Sequence, residues 1–138
     1  MDVDRAGGRR HVNYLLDTTV LLDFAHGRTG ANELVDQLFE NAETLYTCDV
    51  VMCEALSGGD ETERRVVRGV LDALEYVAIT PIGARWAAEA RRSGRSAPGA
   101  RSLADALIAA TAWSLGATLV TRNPRDFERQ GIPVLRYA

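Results

Sequence analysis

Short apolar runs alternate with amphipathic stretches along this chain, and that alternation restricts the available folds more than any other feature. Val12 to Leu16 is an apolar run of strand type; it ends at Asp17-Thr18-Thr19, and Val20 to Phe24 then resumes an apolar pattern, giving strand, polar turn and helix start. Ala31 to Asn41 sets Leu34, Val35, Leu38 and Phe39 at helical spacing, and Thr44 to Thr47 reads as a second strand. Asp49 can cap a helix that carries Val51, Met52, Ala55 and Leu56 and stops at Ser57-Gly58-Gly59. Asp60 to Leu74 follows as a long amphipathic helix, and Tyr76 to Ile79 as a strand. Pro81 opens a helix to about Arg92, Ser93 to Ala100 is a loop, and Ser102 begins a helix ended by Gly116. Ala117 to Val120 is a strand, Asn123-Pro124 opens a short helix, and Pro133 to Leu135 is a last strand. Strands alternating with helices imply an α/β fold with a parallel sheet, and such sheets place their sites outside the carboxyl ends of the strands.

The length of 138 residues suits one ordinary domain, expected over residues 12–138 behind a polar tail over residues 1–11. A composition of 46% hydrophobic and 25% charged residues is that of a soluble globular protein. No apolar run is long enough to cross a bilayer, and the opening MDVDRAGGRRH lacks the apolar core of a secretory signal, so a cytoplasmic location is expected. The formal net charge of −3 argues against holding nucleic acid by bulk positive charge. Every basic residue apart from the histidines is Arg, and the absence of Lys removes a Walker A loop, Schiff-base chemistry and receiver-type phosphoacceptor domains. Cys48 and Cys53 have no partners at metal-site spacing, and His11 and His26 are isolated from any nucleophile motif.

Four carboxylates fall at informative places: Asp17 after the first strand, Glu54 inside a short helix, Asp105 in the first turn of a helix, and Asp126 shortly after the fourth strand. Each also has a local reading. Asp17 could cap the helix that follows, Glu54 could face solvent, Asp105 with Ser102 matches capping-box spacing, and Asp126 could favour a helix N-terminus through the dipole.

Taken together, the patterns YLLDTTVLLD, CEALSG, SLADALIAATA and TRNPRDF, in that order from Asn13 to Leu135, resemble those of PIN domains, and most closely the VapC-type toxin ribonucleases of toxin–antitoxin pairs. The resemblance implies a three-layer sandwich with a central parallel sheet flanked by helices. It implies that Asp17, Glu54, Asp105 and Asp126 surround a Mg²⁺ or Mn²⁺ ion, with Thr18 or Thr19, Thr121 and Asn123 as supporting polar residues. It further implies an RNA substrate, a small VapB-type antitoxin whose C-terminal segment blocks the acidic groove, often through an Arg, and a homodimer within a toxin–antitoxin hetero-oligomer. The apolar faces of Ala31 to Phe39 and Val66 to Leu74 could supply interfaces, although core packing explains them as well.

Physical chemistry points the same way. Two like charges about 4 Å apart at an effective dielectric of ~20 repel by about 4 kcal/mol, so converging carboxylates cannot all stay ionised unaided. A divalent cation relieves that repulsion, and an all-oxygen donor set selects a hard ion that retains waters, one of which can act as nucleophile. Basic residues should then flank the acids to receive RNA phosphate: Arg91, Arg92, Arg95 and Arg101 bracket the Ser/Gly/Pro loop, and Arg122 and Arg125 lie within the fourth motif. Solvated helix faces account for the same residues. The expected activity is metal-dependent endoribonuclease cleavage of structured or single-stranded loop RNA. One rival is a non-catalytic module that uses the acidic pocket to bind a partner's Arg. A haloacid-dehalogenase-like phosphatase is disfavoured, because Thr19 stands where a second Asp is needed and Lys is absent.

Overall fold

A computed structural model of the chain describes residues 12–41, 44–95 and 100–137, the side chains of 100–102 excepted. The tail expected over residues 1–11, loop residues 96–99 and the side chains of Arg101 and Ser102 lie outside the described residues. The elements run β1 (Asn13–Leu16), α1 (Thr18–Ala25), α2 (Thr29–Glu40), β2 (Thr44–Cys48), α3 (Asp49–Leu56), α4 (Glu61–Asp72), β3 (Glu75–Val77), α5 (Pro81–Arg92), α6 (Ala100–Leu115), β4 (Thr118–Thr121), α7 (Arg125–Arg129) and β5 (Val134–Arg136).

The five strands form one sheet in the order β3-β2-β1-β4-β5, every pair parallel, with helices packed around it. The expected α/β sandwich is therefore what the chain adopts. From β1 the chain builds outward through β2 and β3, then returns to the other side of β1 for β4 and β5. The connection reverses between β1 and β4, so the crevice of this sheet opens where those two strands end. The Asp17 N–H continues their ladder by donating to the Val120 carbonyl at 2.9 Å.

Strands buried on both faces need apolar side chains on both, and Leu15, Leu16, Leu119 and Val120 are all inaccessible to solvent. α1 closes over them with Val20 and Leu21, and α6 with Ile108, Ala109 and Ala112. The faces considered as interfaces serve the core: Ala31, Val35 and Leu38 of α2 and Val67, Val70 and Leu71 of α4 are buried, leaving Phe39 and Val66 exposed. The alanines of α6 also have a packing reason. Ala106 and Ala110 meet Ala87 of α5 in a small-residue seam that lets the two helices approach closely, and Trp86 beside it stacks on Trp113 at 5.6 Å.

Several boundaries differ from the sequence reading. β3 lies at Glu75–Val77 rather than Tyr76–Ile79, because the Ile79 N–H donates to Asp49 Oδ2 at 3.4 Å and Thr80 caps α5 by accepting from the Gly83 N–H at 3.1 Å. Asp49 is the first residue of α3, with Cys48 at the cap position. α6 begins at Ala100, so Ser102 is inside the helix and Asp105 stands beyond its first turn, which removes the capping-box reading of that pair. A true capping box sits at α4, where Asp60 Oδ1 accepts from the Glu63 N–H at 2.8 Å and Glu63 Oε1 accepts from the Asp60 N–H at 2.9 Å.

Candidate acidic active site

Asp17 occupies the turn from β1 into α1 as the N-cap residue, in extended conformation. Its Oδ1 accepts from the Thr18 N–H at 2.8 Å, and its Oδ2 accepts from the hydroxyls of Thr121 at 2.7 Å and Thr19 at 3.3 Å. It is only 5% exposed. Burial pushes its carboxyl above the usual range; the Thr121, Thr18 and Thr19 hydrogen bonds pull it back, and the nearby Glu54 charge pushes it up further. Capping and a role in the site are thus compatible, because each carboxylate oxygen has its own partners.

Glu54 reaches the same place from α3. Its Oε1 accepts from the Thr18 hydroxyl at 2.8 Å, so Thr18 joins the two acids, by its backbone to Asp17 and by its side chain to Glu54. Asp105 is half-buried on α6. The residues around it, Leu103, Ala104 and Leu107, face Val50, Cys53 and Glu54 of α3 across an open groove of about 430 Å³. Asp126, half-buried on α7, lies 3.8 Å from the Arg129 guanidinium. The structure therefore brings Asp17 and Glu54 together, sets Asp105 beside the groove that Glu54 lines, and turns Asp126 towards Arg129. Among the described residues no three His, Cys, Asp or Glu side chains stand close enough to enclose an ion.

The donor chemistry nevertheless suits a hard divalent cation. The donors are oxygens, the Asp17 carboxylate is buried beside a like charge, and among the described residues no guanidinium forms an ion pair with Asp17 or Glu54.

The expected supporting residues differ in what they contribute. Thr121, fully buried at the end of β4, gives its hydroxyl to Asp17. Asn123 contributes its backbone N–H, which donates to Thr121 Oγ1 at 3.0 Å, while the residue itself is exposed. Of the arginines, Arg91 and Arg125 are exposed, and Arg92 pairs with Glu89 one turn earlier. Arg95 lays its guanidinium over the Trp86 ring at 5.2 Å, and Arg122 pairs with Asp23 at 3.2 Å. Asp23 is the residue that sequence reasoning passed over. It follows Val20 by three positions in α1, on the buried face, and an ionisable residue at that spacing was the available signal.

Residues 14–132 match the PIN domain family. The chain belongs to that family. This PIN domain is 33% identical over 113 residues to the protein named Ribonuclease VapC19 of Mycobacterium tuberculosis, over 82% of this chain and 90% of that one. Among solved structures it resembles a chain of VapBC2 from Rickettsia felis bound to a promoter DNA fragment, with a TM-score of 0.75 and 19% identity over 92% of this chain and 100% of that chain. It also resembles a chain of a toxin–antitoxin complex from Klebsiella pneumoniae, with a TM-score of 0.69 and 26% identity over 88% and 95% of the two chains. Among the described residues of this PIN domain, no helix is long and apolar enough to cross a membrane.

Proposed function

We propose that this PIN domain, residues 12–138 behind a short tail, is a metal-dependent endoribonuclease that acts in the cytoplasm as the toxin of a toxin–antitoxin pair. One observation carries the reading: a buried carboxylate, Asp17, is held by three hydrogen-bond donors at the sheet's switch point, beside Glu54 and without a cation of its own among the described residues. The relative named a ribonuclease supports the reaction class.

Asp17 and Asp105 would hold Mg²⁺ or Mn²⁺ most directly, with Glu54 and Asp126 completing the site through water or a second ion. The bound ion supplies Lewis-acid polarisation of the scissile phosphate and lowers the pKa of water beside it. The protein does the rest. Thr18, Thr19 and Thr121 fix the Asp17 carboxylate; Glu54, held by the Thr18 hydroxyl, would take a proton from the attacking water, and the exposed Arg91 and Arg125 would guide RNA phosphate towards acids that would otherwise repel it. Exposed loops or single strands of RNA suit an open groove of this kind.

The partner would be a VapB-type antitoxin that lays an apolar segment in the α3/α6 groove and an Arg on the acids, and the toxin would be a homodimer. The likeness to toxin–antitoxin complexes supports that assignment.

The test is cleavage of bulk tRNA and of a panel of stem–loop RNAs by purified protein with Mg²⁺ or Mn²⁺. Chelation, Asp17→Asn and Asp105→Asn should each abolish cleavage while circular dichroism shows the fold retained. Full activity in either variant overturns the assignment. A wild-type chain that binds the antitoxin but neither binds metal nor cleaves RNA would instead be an interaction module.

A further inference from the structure

Asp23 is a buried acid for which the proposed reaction has no use. It is 4% exposed, and donors from three separate segments converge on it. Oδ1 accepts from Arg28 Nη1 at 3.4 Å and Arg122 Nη1 at 3.2 Å, and Oδ2 accepts from the Tyr137 hydroxyl at 2.7 Å. Arg28 follows α1, Arg122 follows β4, and Tyr137 follows β5. A buried carboxylate costs several kcal/mol of desolvation, so a cluster of this kind invites a reason beyond packing.

Arg122 supplies the reason, because its backbone is part of the acidic site. The Arg122 N–H donates to Thr19 Oγ1 at 3.3 Å, and that hydroxyl donates to Asp17 Oδ2 at 3.3 Å. The residue before it, Thr121, donates to the same Oδ2, and the N–H of the residue after it, Asn123, donates to Thr121 Oγ1. Both hydroxyls that aim the Asp17 carboxylate therefore depend on the register of Thr121-Arg122-Asn123. That turn is pinned from outside the site by the Arg122 guanidinium on Asp23. Tyr137 braces Asp23 through the other carboxylate oxygen, and the Tyr137 hydroxyl also lies within hydrogen-bond reach of the Thr19 side chain.

On the reading that Asp17 is the central acid of the site, we propose that Asp23 is a positioning residue: through Arg122 and Tyr137 it locks the β4–α7 turn and Thr19 in the arrangement that orients the Asp17 carboxylate. It touches no substrate. Loss of its charge frees Arg122, lets the turn move, and leaves Asp17 held by the Thr18 N–H with its second oxygen loosely bound.

The experiment compares wild type, Asp23→Asn and Tyr137→Phe, the last keeping ring and burial while removing the donor. Two readouts are taken well below the unfolding temperature of each variant. Steady-state RNA cleavage should show kcat in Asp23→Asn reduced at least about tenfold with KM little changed, the loss expected for one charge-assisted hydrogen bond, and a smaller change of the same kind in Tyr137→Phe. Amide hydrogen exchange, which needs no activity, should accelerate at Arg122 and Asn123 in both variants while the amides of α4 keep their wild-type protection. Wild-type kcat in folded Asp23→Asn, or faster exchange spread evenly through α4, would overturn the proposal. If Asp23→Asn does not fold, Tyr137→Phe decides by the same criteria. If wild type cleaves no RNA, the nuclease reading falls, while the exchange pattern still decides whether Asp23 orders the turn.

Discussion

Thr121→Val isolates the hydrogen bond on which the Asp17 carboxylate most depends. Thr121 is fully buried and its hydroxyl donates to Asp17 Oδ2 at 2.7 Å. Valine has nearly the same shape, so the exchange opens no cavity, and the methyl that replaces the hydroxyl returns up to about 0.8 kcal/mol by burial. The lost bond to a charged acceptor is worth roughly 1.5–3 kcal/mol. The Asn123 N–H, which donates to Thr121 Oγ1, belongs to an exposed residue and can turn to water. The net expectation is a protein about 1–2 kcal/mol less stable at neutral pH in the absence of metal.

The pH dependence is the more discriminating result. The folded carboxyl of Asp17 lies above its unfolded value of 3.8 because burial disfavours the charge, and the Thr121 bond holds it lower than burial alone would. The destabilisation from this buried charge is fully present above the folded pKa, fades as pH falls through it, and is gone below the unfolded value. Thr121→Val raises the folded pKa further, so its deficit should be greatest near neutrality and shrink on acidification. Urea unfolding with chelator present, from about pH 8 to about pH 4, measures it as a change in midpoint at constant slope. Thr121→Ser, which keeps the donor, should remove the pH dependence of the deficit. A deficit of the same size at every pH, or none at neutral pH, would show that the Thr121 hydroxyl does not hold the Asp17 charge.

Two other outcomes follow from the same geometry. Asp17→Asn removes a buried charge next to Glu54 while keeping Oδ1 for the Thr18 N–H, so in chelator it should melt above wild type at neutral pH, the gain vanishing as pH falls towards the unfolded value of 3.8; calorimetry showing equal or lower melting at neutral pH would count against a costly ionised Asp17. Cys48 is buried, with its thiol pushed up by that burial, whereas Cys53 is exposed on the α3/α6 groove; a thiol reagent at neutral pH should therefore react quickly with Cys53 and reach Cys48 only on unfolding, and equal rates would contradict the packing of β2 against α3.

What the sequence reveals of this protein divides along the range of the interactions. The switch from V-N-Y-L-L to D-T-T-V-L-L is a change of period, and it marks β1, the Asp17 turn and α1 from neighbouring residues alone. Y-V-A-I-T is uniformly of strand type, so nothing local shows that β3 stops at Val77; the stop comes from Asp49 accepting the Ile79 N–H across 30 positions. At α6 the loop offers both Pro-Gly and Ser as start signals, and the helix begins at Ala100. Spacing could flag Asp23 but not its partners: two of its three donors stand 99 and 114 residues away, and only the closed sheet brings them to it. Arg122 looks like an RNA contact while T-R-N-P-R-D-F is read alone, and its ion pair with Asp23 comes into view only in the folded chain.

The two buried aspartates of α1 and its cap divide the local charges between them. Asp23 has Arg28 and Arg122, so it is more than neutralised where it lies. Asp17, six positions earlier, has hydroxyls and an amide and, among the described residues, no cation. Arg122 follows Thr121 directly, and a guanidinium about 4 Å from Asp17 would gain about 4 kcal/mol at an effective dielectric of ~20. Such a pair would satisfy the site internally and remove its attraction for anything else. Because Asp23 holds that guanidinium, Arg122 does not neutralise the paired acids Asp17 and Glu54, the second of which lines the open groove. On the function proposed above, a divalent ion and the arginine of an antitoxin would be the two ligands that such a potential selects, one for catalysis and the other for its inhibition. The two should therefore compete, the antitoxin binding less tightly as metal concentration rises.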